Sequence, residues 1–140
     1  MRFMVIVKGN KESESGALPD EKDLAAMFKF NEELVRAGVM LGGEGLHPSS
    51  KGVRISFGDG GKKTVIDGPF TETKELVAGY WLLQTKTREE CIEWIKRAPF
   101  TAGHAVEIRQ VHETEDFAAS DPTGELRAKE QRLRAAVPPR

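Results

Sequence analysis

The chain has 140 residues, 39% hydrophobic and 31% charged, which fits one folded domain and excludes a disordered one. Lys and Arg number 21 against 22 Asp and Glu, a formal net charge of −1, which excludes a nucleic-acid module working through overall basicity. The single cysteine, Cys91, excludes an intramolecular disulfide and a cysteine-rich zinc site, and no apolar run is long enough to span a bilayer. A soluble, cytoplasmic, bacterial-type protein is the expectation.

The first strand is expected at Phe3–Val7, which is apolar on both alternating faces and therefore needs cover on both sides. Residues 9–19 read as a polar loop. A helix is expected from Asp20, a good N-cap, to Gly38, a good stop. Leu24, Met27, Phe28, Leu34 and Val35 recur on it at helical spacing. Asn31 shares that apolar face and needs a hydrogen-bond partner there.

Val39–Leu46 reads as the second strand, with Gly42, Gly43 and Gly45 around Glu44. Without a bulge, Glu44 would share a face with Met40 and Leu46. Val53–Phe57 alternates like a half-solvated strand, Asp59-Gly60-Gly61 supplies turn chemistry, and Thr64–Ile66 returns as a hairpin. Val77–Thr85 is again apolar on both faces. Thr87 with Glu90 forms a capping box for a helix that carries Cys91, Ile92, Ile95 and Ala98 and ends before Pro99. Ala105–Val111 is the last core strand. Residues 113–140 change character to a charged, Ala-rich extension, helical over Glu125–Val137, so the expected division is 1–112 and 113–140.

This order describes an α+β, ferredoxin-like βαββαβ-type subunit with an added β-hairpin, an antiparallel sheet and its helices on one face. Two helices cover only one face of such a sheet. The other needs a second copy of the chain, or the hairpin and tail of the same chain. A closed two-fold homodimer is the simpler expectation.

Asp67-Gly68-Pro69-Phe70 resembles the signature of the DGPF branch of the YCII-related family. Phe30–Leu34, Ala37-Gly38-Val39, Gly43–Leu46 with Pro48, Phe70–Glu75 and Val106–Arg109 resemble further family segments in the same order, so the resemblance runs over residues 1–112. It implies pairing of two subunits as a dimeric α+β barrel. It also implies an association with extracytoplasmic-function sigma factors. Some members have a suspected His/Asp site, but His47, His104 and His112 match no family motif.

The candidate site rests on carboxylates. Asp67 either caps a turn in which Gly68 and Pro69 shape the backbone and Phe70 anchors the core, or stands at the mouth of a pocket. Glu44 either turns to solvent at a bulge or is partly buried, where desolvation would make it a general acid/base. Glu44 and Asp67 are thus the catalytic candidates. Lys74 and Arg54 are candidate charge partners or anion holders, Asn31 a polar positioner, and His47 a weaker candidate beside Pro48. Cys91 reads as a small core residue. No phosphate-binding glycine loop, dinucleotide fingerprint, metal-ligand spacing or nucleophile elbow is present, so no cofactor and no metal is expected. The reading is a small-molecule-binding protein whose least specific chemistry is proton transfer on a small organic acid or carbonyl compound. The alternatives are a non-enzymatic regulator acting with a sigma factor through the tail, and a purely structural dimer.

Overall fold

Strands β1 (Arg2–Lys8) and β5 (Val77–Gln84), the two that read as apolar on both faces, take the central positions of a four-stranded sheet. The flanking strands are β2 (Met40–Gly45) and β6 (Val106–Gln110), in the order β2-β5-β1-β6. All three pairings are antiparallel. A computed structural model describes residues 1–139, with the backbone alone at Thr73.

Helices α2 (Glu21–Arg36) and α3 (Arg88–Lys96) supply the core on one side of this sheet. Asp20 caps α2 by accepting from the Asp23 N–H at 2.8 Å, and Thr87 caps α3 by accepting from the Glu90 N–H at 3.1 Å. Phe3, Val5 and Leu83 of the sheet pack with Phe30 and Leu34 of α2 and with Cys91 and Ile95 of α3, all buried. Each large apolar side chain so buried contributes about 1.5–3 kcal/mol. Burial also pushes the Cys91 thiol above its ordinary range, and the Glu90 charge adds to it. The buried face of α2 is centred on Phe30 and Leu34, while Phe28 and Val35 are each 62% exposed. The helical period is the expected one, but the buried stripe is rotated, because Phe30 and Leu34 are the α2 residues that the sheet buries.

The order is that of a ferredoxin-like α+β unit, with two additions. Strands β3 (Val53–Phe57) and β4 (Lys63–Asp67) form a separate two-stranded hairpin, turned at Gly60 and Gly61, which both hold positive φ. Every hairpin residue is exposed, so the hairpin does not cover the second face of the sheet within one chain. The segment that reads as a polar loop instead winds one helical turn, α1 (Lys11–Glu14), closed by a capping box between Asn10 and Ser13.

The chain divides into a unit of Met1–Gln110 and a second unit beginning at Val111. In the second, helix α4 (Glu125–Ala136) follows a 3-10 segment, Thr114–Ser120. Its N-cap position is Gly124. Asp121 satisfies the helix start from upstream: its carboxylate accepts from the N–H groups of Leu126 and Arg127 and from the Arg127 side chain. Those bonds, the Arg127 N–H foremost, hold its carboxyl below the usual range against the opposing effect of burial.

Candidate functional site

A cleft runs between α2 and the sheet, built from two connected lobes. The outer lobe, about 470 Å³, lies over the ends of β2 and β5. The inner lobe, about 300 Å³, reaches α1 and the loop before β6. Val7, Leu24, Met27, Ala78 and Phe100 line both and give the cleft an apolar body.

The outer lobe exists because its floor lacks side chains. Gly45 of β2 pairs with Gly79 of β5, and Gly43 pairs with Trp81. A Cβ on Gly79 would stand 2.8 Å from the Glu44 carbonyl oxygen, and one on Gly43 would stand 2.8 Å from the Trp81 ring. A Cβ on Gly45 would meet nothing within 4 Å, because it would enter the open lobe. The wall is fixed by Asn31, whose Oδ1 accepts from the indole N–H of buried Trp81 at 2.8 Å. This is the partner an amide on that apolar face requires. The Asn31 amide nitrogen has no partner among the described residues and is free to donate into the lobe.

An aromatic ladder links the lobes. Phe30 meets Trp81 edge-on at 5.7 Å, Trp81 meets Phe100 at 6.0 Å, and Phe100 stacks on the His104 ring at 5.4 Å. His104 Nδ1 lies 3.1 Å from the Thr101 carbonyl oxygen. Thr101 Oγ1 lies 3.3 Å from the same nitrogen, so the loop holds the ring through Nδ1. His104 lines the inner lobe. No sequence motif marks it; its place depends on the fold of the loop at 99–105 and on stacking against Phe100.

The other site candidates are placed as follows. Glu44 is at the rim of the outer lobe and exposed, not partly buried. A register shift between Met40 and Gly42 interrupts the alternation of β2, so Glu44 pairs with Tyr80 while Met40 pairs with Leu83. Glu44 therefore does not share the face of Met40. Asp67 ends β4, exposed, opposite Val53. The guanidinium of Arg54 sits 3.9 Å over the Phe70 ring. His47 is exposed beyond β2. Lys74 lines a bay adjoining the inner lobe. Of these candidates, the cleft brings together Asn31 and Glu44; Asp67, Arg54 and His47 do not line it.

The Asp67–Phe70 segment is instead tied to the turn at 49–52. The Gly68 N–H donates to the Gly52 carbonyl at 2.9 Å, and the Phe70 N–H donates to Ser49 Oγ at 3.0 Å. Ser49 Oγ in turn donates to the Glu14 carboxylate of α1. The Gly68–Pro69 peptide is cis. Among the described residues, no group of three or more His, Cys, Asp or Glu side chains is placed to hold a metal ion. No helix among them is long and apolar enough to cross a membrane.

The sequence profile of the YCII-related domain matches residues 1–115. No curated protein matches the chain. Among solved structures, a 5-chloro-2-hydroxyhydroquinone dehydrochlorinase from Burkholderia phenoliruptrix AC1100, in complex with 2,5-dihydroxybenzoquinone, is similar at 18% identity and a TM-score of 0.44. The similarity covers 82% of this chain and 98% of that one. Since the family profile takes in every strand and helix that builds the sheet, its core and the cleft, the chain belongs to the YCII-related family.

Proposed function

We propose that the protein binds a small organic molecule in the cleft between α2 and the sheet and exchanges a proton with it. The observation that carries this reading is the outer lobe cleared by Gly43, Gly45 and Gly79. Its volume falls in the range of small-molecule sites, about 300–1,000 Å³, and it has the apolar walls and few polar groups typical of them. Asn31 offers an amide donor, rigid because its oxygen is committed to Trp81. The His104 imidazole, which lines the inner lobe, supplies acid/base capacity.

Native mass spectrometry of protein purified gently from its source tests the reading, with Gly45→Leu as the comparison. The leucine fills the lobe from a position where a Cβ meets no atom within 4 Å. The expected result is a reproducible added mass on the wild type and none on the variant. A mass retained equally by both, or a bare wild type, would overturn the assignment of the cleft.

A further inference from the structure

A second concavity, about 480 Å³, opens beside the inner lobe and shares Lys8 and Asn10 with it. It forms where the end of β1, the start of α1, the 3-10 turn Thr73–Glu75 and the loop before β6 converge. Its charged lining is Lys8, Lys11 and Lys74, with no carboxylate among them. None of the three has an ion-pair partner among the described residues. Elsewhere on the chain, Lys96, Arg36, Arg97 and Arg134 each meet a glutamate. Three lysines lining one hollow without an ion pair among the described residues stand out against a net charge of −1.

Lysines on a convex surface are ordinary solvated charges. These three differ in geometry. They wall a concave space that opens onto an apolar cleft, where like charges repel one another and a bound anion relieves that repulsion. The acids of the inner lobe, Glu12 and Asp23, do not line the bay. Asn10 at the junction is held in place, its Oδ1 accepting from the Ser13 N–H at 2.8 Å.

We infer that this lysine bay receives the anionic head, a carboxylate or a phosphate, of the molecule whose apolar body lies in the cleft. The inference rests on the cleft reading above and names the ligand class: an apolar or aromatic body carrying one anionic end. Lysine is a compact point charge and serves either head group.

Isothermal titration of the full chain with 3-phenylpropionate, 3-phenylpropyl phosphate and uncharged 3-phenylpropanol tests it. At low salt, one or both anions are expected to bind at least tenfold tighter than the alcohol, and the tighter anion identifies the head group. The combined Lys8→Gln, Lys11→Gln, Lys74→Gln variant is expected to bring all three within threefold while leaving alcohol binding unchanged. Circular dichroism reports whether that variant keeps its fold. If the alcohol binds the wild type as well as either anion, or the variant keeps the anion preference, the lysine bay falls and the cleft reading stands. If none of the three binds, or Gly45→Leu binds them all as the wild type does, both fall.

Discussion

A methyl group on Gly68 would lie 1.7 Å from the Ser49 carbonyl oxygen, a backbone atom that cannot step aside. Gly68→Ala is therefore expected to cost about 3 kcal/mol, the upper part of the overpacking range, read as a lower midpoint in urea. An unchanged midpoint would mean that the turn at 49–52 relaxes freely. The same clamp gives the Asp-Gly-Pro-Phe signature a structural account: glycine permits the close approach, and the Phe70 N–H anchors to Ser49. Asn31 makes a complementary case. Asn31→Leu strips the buried Trp81 indole N–H of its acceptor, which costs about 1–3 kcal/mol. Reduced stability together with altered tryptophan emission is the expected pair of readouts. Wild-type stability with unchanged emission would show that the bond contributes nothing.

At the scale of elements, α4 depends on a side chain outside the helix. The Asp121 carboxyl is held below its ordinary value, so the bonds it makes stabilise the second unit at pH values above that ordinary range. That contribution is lost as pH falls through the lowered value, because the protonated carboxyl no longer accepts both N–H groups as an anion. Far-UV circular dichroism of the full chain is expected to show partial loss of helix under acid that Asp121→Asn shows already at neutral pH. Equal helix content of the two proteins at neutral pH would refute the capping role. The hairpin β3–β4 raises a different question. Val53, Ile55 and Phe57 share one face with Val65, and each is more than half exposed. A lone two-stranded hairpin is marginal in water, so this face needs a partner surface.

For the whole molecule, that partner is expected to be a second copy of the chain. The sheet's second face repeats the need, since Met4, Ile6, Tyr80 and Leu82 lie on it and none is fully buried. Native mass spectrometry is expected to give twice the mass of one chain. Ile55→Lys with Val65→Lys is expected to give a single chain, at little cost to the fold, because both side chains are exposed. A wild-type protein that runs as one chain at micromolar concentration would refute the assembly.

The sequence by itself determined the order of the six strands and the three longer helices, the caps Asp20 and Thr87, the two strands apolar on both faces and the family, because these rest on local periodicity, capping chemistry and contiguous motifs. It also flagged Asn31 as an amide in need of a partner. Tertiary structure alone decided the rest. The shift between Met40 and Gly42 set the face of Glu44, and a bulge is not encoded in alternation. The α2 stripe turned toward Phe30 because the sheet selects which apolar residues are buried. His104 joined the cleft through stacking and a loop carbonyl, and Lys74 met Lys8 and Lys11 in one bay from a segment more than 60 residues away. Such convergence depends on distances in space, which residue spacing along the chain does not carry.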